Sequence, residues 1–313
     1  MLAPVGVFLL GAVIAVLLPR FPRLPYAFTL AGSVASAGIA LAPREDEILR
    51  VSLGSIAPFA ALNFRLDGLS AYFLLIIGVL VGAVSAYALG YVDRRHYGGW
   101  ASGAAFCAFV AAMAGVVLAD GVFSFLLFWE LMSLASFVLV VHDHQVAEVR
   151  RAGFIYLAMA HAGAGFVVAG FLLLAGQAGS LDFQAFRDSA GSLQPLVRNG
   201  AFVLFLVGFA AKAGVIPLHV WLPRAHPAAP SHVSALMSGV MIKLGIYGMV
   251  RVFFELLAPA EEWWGWLLLL LGVSSAVLGV LYALMEHDLK RLLAYHSVAN
   301  IGIILIGVGS GIR

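Results

Sequence analysis

The chain alternates between long apolar runs and short polar connections. Ten of the runs approach the roughly 20 residues that a helix needs to cross the hydrocarbon core of a bilayer. The pattern therefore predicts an all-α membrane protein with about ten transmembrane helices. These predicted spans are 2–18, 26–42, 66–91, 100–118, 121–141, 152–175, 199–225, 229–255, 263–285 and 289–309.

Two segments depart from this simple alternation. Residues 43–65 mix charged with β-favouring residues, which predicts an extramembrane hairpin or a re-entrant cover. The seventh run is interrupted near Gly214 and Pro217. Because proline lacks a backbone donor and clashes with the preceding turn, we predict a broken seventh helix.

Composition supports the membrane class and excludes several others. Hydrophobic residues make up 63% of the chain and charged residues 11%, which is not the balance of a soluble globular protein. A net charge of +2 without a basic run argues against a nucleic-acid partner. The single cysteine, Cys107, excludes internal disulfides, iron–sulfur ligation and CxxC sites. We expect no cofactor, no metal and no catalytic residue in this chain.

The distribution of Lys and Arg predicts the orientation of the chain. The side that the chain reaches after the first span carries nine of them, and the N-terminal side carries seven. Cytoplasmic loops are enriched in these residues, so we predict an outside N-terminus and a cytoplasmic 142–151 loop. The expected location is a bacterial or archaeal cell membrane.

Charged residues inside the apolar runs are the first candidates for function, since burying a charge in a bilayer is costly. Glu130 lies midway through the fifth run, and a carboxylate there needs a cation partner or becomes neutral. Lys212 directly precedes the predicted break, where freed backbone groups persist only against protein or water. Lys243 lies in the next run. A hydrated cavity at Lys212 explains this arrangement better than snorkelling does.

Several histidines extend this set toward a proton pathway. His232 precedes Lys243 by eleven residues, or about three helical turns, which would place both on one face roughly 16 Å apart. His232 read alone would be a helix-start residue at the interface. His296 and Asn300 are one turn apart in the tenth run. We therefore predict a pathway of Glu130, Lys212, Lys243, His232 and His296, with His161, His219 and Asn300 as further candidates. A hydrogen bond to neighbouring backbone is an equally good reading of His161.

Three stretches resemble the antiporter-like subunits of respiratory complex I, Mrp-type cation/proton antiporters and membrane-bound hydrogenases. They are FWELMSLASF around Glu130, AAKAGVIPLHVWLPRAHPAAPSHVSALMSGVMIKLGIYG across both lysines, and HDLKRLLAYHSVANIGII in the tenth run. The sequence of the last stretch most resembles the large membrane subunit of formate hydrogenlyase and group 4 hydrogenases. The resemblance covers nearly the whole chain from Phe64 onward.

The resemblance implies a fold of about fourteen helices built on two inverted five-helix repeats, each with a broken helix. Residues 1–98 would form an N-terminal three-helix region, 99–256 the first repeat, and 257–313 the start of the second. Glu130, Lys212 and Lys243 match the family's glutamate and two lysines. The chain stops at Arg313, so we expect either a fragment or a subunit that another polypeptide completes.

Three functions remain open at this stage. The favoured one is a proton-translocating subunit of a redox-driven complex, either hydrogenase or NADH:quinone oxidoreductase-like. Its partners would be other membrane subunits and, through them, a soluble redox arm. The alternatives are a secondary Na⁺ or K⁺/H⁺ antiporter subunit and a membrane scaffold without transport.

Overall fold

The computed structural model describes residues 1–42, 48–55, 61–93 and 98–312. Within these ranges, nine helices are long and apolar enough to cross a membrane, and Ala3–Leu17 is a shorter apolar helix. Each of the ten predicted spans thus contains a helix, although the first has only 15 residues. The chain is an all-α, multi-pass membrane protein.

The helices and strands follow one another as α1 (Ala3–Leu17), α2 (Leu24–Leu41), β1 (Leu49–Ser55), β2 (Ala61–Leu66), α3 (Gly68–Tyr91), α4 (Trp100–Leu118), α5 (Val122–Val140), α6 (Ala147–Ala178), α7 (Phe183–Ser189), α8 (Pro195–Ala213), α9 (Leu222–Ala228), α10 (Ser231–Leu236), α11 (Ile242–Arg251), α12 (Glu262–Met285) and α13 (Leu289–Ile312). Ala190–Ser192 form a 3₁₀ turn, and Met237–Met241 and Val252–Leu256 are π-helical. Together α10, α11 and the two π segments make one span, Ser231–Leu256.

The hairpin predicted between the second and third spans is present. Strands β1 and β2 pair antiparallel, with Leu49 opposite Leu66 and Ser52 opposite Asn63. The Asn63 carbonyl oxygen accepts bonds from the Asp120 backbone N–H and the Ser124 hydroxyl, both at 2.9 Å. These bonds tie β2 to the start of α5. The parts of the prediction at 43–47 and 56–60 lie outside the described residues.

Contacts divide the chain into two compact units. The first comprises Met1–Val149 and Ala229–Val240, and it therefore holds α1 to α5, the hairpin and α10. Helix α4 is its most buried element, and every residue from Phe109 to Leu118 is buried. Because α4 is apolar all round, it can be enclosed by protein on all sides.

The second unit comprises Arg150–Ala228 and Met241–Arg313. Helices α12 and α13 pack closely in it because small residues line their contact. A Cβ atom on Gly279 would lie 2.7 Å from the Ala299 nitrogen, and one on Gly272 would lie 2.9 Å from the Gly302 carbonyl oxygen. The predicted repeats at 99–256 and 257–313 are defined by internal symmetry, whereas these two units are defined by contacts between residues. The division into units therefore does not test the repeats, and they stay predictions.

Candidate functional site

The predicted helix break is confirmed. Helix α8 ends at Ala213, and Gly214 follows in the left-handed conformation with φ of +77°. A left-handed residue after the last turn is a common helix ending, and glycine adopts it without steric cost. The chain then passes through a non-helical connection that contains Pro217 before α9 begins at Leu222.

Protein groups satisfy several of the backbone atoms that the break releases. The Ala210 carbonyl oxygen accepts bonds from the backbone N–H groups of Gly214 and Val215, at 2.9 and 3.0 Å. The indole Nε1 of Trp221 donates to the Ala211 carbonyl oxygen at 2.8 Å. The Ile216 N–H donates to the Ser275 hydroxyl oxygen at 3.0 Å. Such partners are what an interrupted helix requires within a membrane. The hydrated cavity at Lys212 stays a prediction.

Lys212 occupies the last turn of α8 and is only 3% exposed. Its Nζ donates to the Tyr156 hydroxyl oxygen at 3.4 Å and lies 5.6 Å from the centroid of that ring. The Tyr156 hydroxyl in turn donates to Met241 Sδ at 3.6 Å, and the Tyr156 and Trp221 rings lie 5.0 Å apart. Tyr156 therefore provides both a hydrogen-bond acceptor and a cation–π surface to a buried lysine. Sequence reasoning missed it because a tyrosine in an apolar run resembles a core residue.

Lys243 has a buried histidine, His226, in its neighbourhood. His226 in α9 is 2% exposed, and the positive charges of Lys243 and Lys290 both act on its ring. Lys290 also donates from Nζ to the Pro227 carbonyl oxygen at 3.4 Å, which links the start of α13 to α9. Lys243 itself is partly buried in α11. His226 was not among the predicted pathway residues, although it lies in the proline- and histidine-rich connection.

His232 is buried among aromatic side chains of the first unit. It is 1% exposed, and its Nε2 lies 3.4 Å from the Tyr26 hydroxyl oxygen. The rings of Tyr26, Tyr91 and Phe106 stand within 5.4 to 5.8 Å of the imidazole centroid. His232 is thus a buried histidine with a hydroxyl partner from α2.

The premise that placed His232 and Lys243 on one helical face is wrong. That prediction required an uninterrupted α-helix, but Met237–Met241 are π-helical. A π turn closes i→i+5 bonds and so contains one extra residue, which rotates the following residues by about 100° relative to a regular α-helix.

Glu130 lies near the middle of α5 and is partly buried. Its place in the middle of a helix is as predicted, and its role in a proton pathway stays a prediction. The pairing of Glu130 with Lys212 stays a prediction.

The remaining candidates differ in their surroundings. His161 is exposed, and its Nδ1 lies 3.1 Å from the Leu157 carbonyl oxygen. This is the kind of backbone hydrogen bond that was the alternative to a pathway role for His161. His296 and Asn300 are exposed one turn apart on α13.

His219 stands beside two tyrosines of the last two helices. Its ring centroid lies 6.3 Å from the centroids of Tyr282 and Tyr295, which are 5.4 Å from each other. Neither tyrosine was predicted to belong to the site, since both occur in ordinary apolar runs.

A buried ion cluster near the end of the eighth span was also missed. Arg251 is 4% exposed, and its Nη1 lies 2.6 Å from a Glu255 carboxylate oxygen. The Tyr247 hydroxyl oxygen accepts from Arg251 at 3.1 Å, and Arg187 of α7 also bonds Glu255. In sequence these charges lie near a span end and resemble interfacial residues, whereas folding buries Arg251 and leaves Glu255 24% exposed.

A family comparison matches residues 119–313 to the model described as "NADH:quinone oxidoreductase/Mrp antiporter, TM". Hydrogenase-4 component B of Escherichia coli is 48% identical over 255 residues, which cover 80% of this chain and 37% of that protein. Formate hydrogenlyase subunit 3 of the same organism is 32% identical over 262 residues, or 84% of this chain and 41% of that protein. The chain therefore spans about two fifths of these curated relatives.

A solved structure of the Mrp complex from Dietzia sp. DQ12-45-1b has the same fold. Superposition gives a TM-score of 0.87 at 27% sequence identity. The match covers 98% of this chain and 34% of the other. At 98% coverage the match must extend into the N-terminal 118 residues, which the family model does not match.

Proposed function

Because the chain belongs to the NADH:quinone oxidoreductase/Mrp antiporter transmembrane family, we propose that it translocates protons as a membrane subunit of a redox-driven complex. The similarity to two hydrogenase-type subunits supports a hydrogenase-like complex over a stand-alone transporter. The proposed partners are further membrane subunits and a soluble redox arm attached through them. The proposed orientation has the N-terminus outside.

The observation that carries the proposal is the burial of Lys212 at the helix break. An ammonium group enclosed by protein at a membrane span is expensive to retain for structure alone. Its contact with the Tyr156 hydroxyl keeps the ammonium hydrogen-bonded, and the neighbouring break is secured by Trp221 and Ser275. The site thus combines a proton carrier with a local backbone geometry held by side chains.

His226 and Lys243 supply further groups that can hold a proton in the same compact unit. We propose that protons move between Lys212 and Lys243 with the help of His226, and that Glu130 modulates the charge of Lys212. Moving one charge against 100 mV costs about 2.3 kcal/mol, so a coupled energy source is required. In the proposal, the redox arm provides it.

The test is proton pumping by the intact complex in inverted membrane vesicles, followed with a ΔpH-sensitive dye and driven by NADH oxidation or hydrogen evolution. Lys212→Ala should abolish pumping while the complex remains assembled. Arg198→Ala is the matched control, because it removes a cation from the other end of the same helix, where Arg198 pairs with Glu261 at 3.4 Å. Unchanged pumping by the Lys212 variant would refute the proposal.

The similarity to an Mrp complex structure favours a second candidate, a cation/proton antiporter subunit. An antiporter acidifies or alkalinises vesicles when Na⁺ or K⁺ is added in the absence of any electron donor. A cation-dependent signal that Lys212→Ala removes would support this candidate. Assembly and redox turnover without either signal would indicate a scaffold.

A further inference from the structure

Lys290 is a second lysine beside the buried histidine His226. It lies in the first turn of α13, where the partial positive charge of a helix N-terminus disfavours a cation. Its ammonium reaches α9 instead, and Nζ donates to the Pro227 carbonyl oxygen at 3.4 Å. Pro227 belongs to the last turn of α9, and lysine side chains commonly bond the last carbonyls of a helix. Lys290 thus ties the start of α13 to the end of α9 within the second compact unit.

This bond places the positive charge of Lys290 next to His226. Pro227 directly follows His226 in the chain, so the ammonium is bonded to the residue beside the imidazole. His226 is 2% exposed, and salt and water screen charges around a buried group only weakly. In the described chain, the charged groups that act on its ring are Lys243 of α11 and Lys290 of α13. Arg224, the other charged residue of α9, is exposed.

The two lysines make a protonated imidazole costly at this position. Helix α9 lies between the membrane-spanning segments Pro195–Ala213 and Ser231–Leu256. Burial lowers the pKa of His226, and the positive charges of Lys243 and Lys290 lower it further. At neutral pH the imidazole is therefore uncharged, so it can accept a proton and release it again. Without one of the two lysine charges, the imidazole would retain the proton longer.

We propose that Lys290 is a positioning residue for proton transfer at His226. It holds α9 in place through the Pro227 carbonyl, and its charge prevents His226 from retaining a proton between transfers. This inference rests on the proposed proton translocation, in which His226 helps protons to move between Lys212 and Lys243.

Three replacements of Lys290 separate its hydrogen bond from its charge. Lys290→Gln keeps a donor for the Pro227 carbonyl and removes the charge, Lys290→Arg keeps both, and Lys290→Met removes both. The measurement is the pH dependence of proton pumping by the intact complex in inverted vesicles. In Lys290→Gln, the pH at which acidification halves pumping should rise by about one unit, the effect of one like charge at roughly 10 Å in protein. Lys290→Arg should pump with the wild-type profile.

Arg291→Gln is the matched control for the loss of a cation. Arg291 is the next residue of α13, its side chain is 48% exposed, and it pairs with Glu286 at 3.7 Å. Its replacement should leave the pH profile in place. A Lys290→Gln profile that coincides with the wild-type profile would overturn the proposal. Equal shifts in Lys290→Gln and Arg291→Gln would also overturn it, because surface charge in general would then account for the effect.

Unfolding of the purified protein by SDS in mixed micelles gives a second measurement that does not require pumping. In the unfolded chain the pKa of a histidine returns to about 6.5. The unfolded state then binds more protons than the folded state, so stability falls as the pH drops below that value. Lys290→Gln should reduce the acid-induced rise of the unfolding constant by up to about tenfold, the limit for a pKa shift of about one unit.

A double-mutant comparison assigns this effect to His226. In a His226→Gln background, Lys290→Gln should no longer change the pH dependence of unfolding. An equal effect in both backgrounds would refute the link between Lys290 and His226. Lys212→Ala tests translocation itself, so pumping that depends on Lys212 but shows no effect of Lys290→Gln in either assay would refute this inference alone.

Discussion

Trp221 is the residue whose replacement tests most directly how the helix break is held. It is 1% exposed, and its indole donates a 2.8 Å hydrogen bond to the Ala211 carbonyl, one residue before Lys212. Trp221→Phe keeps an aromatic ring but removes the donor, so the carbonyl loses its side-chain partner.

The expected cost follows from that single bond. An unsatisfied buried carbonyl costs about 1–3 kcal/mol in water-soluble proteins. Hydrogen bonds between membrane helices average about 0.6 kcal/mol, with a maximum near 1.7 kcal/mol. We therefore expect about 1–2 kcal/mol of destabilisation. The contact between the ring at position 221 and Tyr156, now 5.0 Å between centroids, should persist in part with phenylalanine.

The assay is reversible unfolding of the purified protein by SDS in mixed micelles, with helicity as the signal. Trp263→Phe is the control, because Trp263 is 41% exposed and its replacement should change stability by less than about 0.5 kcal/mol. A Trp221→Phe variant as stable as this control would refute the role of the indole. We also expect Trp221→Phe to slow proton pumping, since the carbonyl that it holds belongs to the turn that carries Lys212.

Three further predictions concern other parts of the chain. Tyr156→Phe should reduce proton pumping with little loss of assembled protein, and unchanged pumping would exclude its hydroxyl from the pathway. Glu255→Gln should destabilise the protein by about 1–3 kcal/mol in the same SDS titration, because Arg251, 4% exposed, loses a charged partner whose own side chain is 24% exposed; an effect below about 0.5 kcal/mol would contradict this. A membrane-impermeant maleimide should label Gln145→Cys only in inverted vesicles and Ser192→Cys only in intact cells. The opposite pattern would reverse the proposed orientation.

The membrane spans and the helix break were predictable because each depends on local physics. A bilayer requires about 20 apolar residues, and this requirement is visible as a run in the sequence. Proline cannot continue a regular helix because it lacks a backbone donor, so Pro217 allowed the break at the end of α8 to be placed to within a few residues.

The surroundings of the candidate residues were less predictable, since they depend on which helices meet. Tyr156 is 56 residues from Lys212 in the chain, and Tyr26 is 206 residues from His232. No local pattern marks either tyrosine as a polar partner. The π-helical turn at Met237–Met241 left no sign in the apolar periodicity, so the regular spacing assumed for His232 and Lys243 failed.

The length of α6 has a consequence for where its charges lie. Its 32 residues extend for about 48 Å at 1.5 Å per residue, against about 30 Å of hydrocarbon core. Even at a tilt of 40°, the upper end of the usual range, the core accommodates only about 39 Å of helix. About six residues must therefore project beyond the hydrocarbon. Glu148, Arg150 and Arg151 lie within the first five residues of α6, so this overhang is long enough to keep all three in contact with water or headgroups without thinning the bilayer.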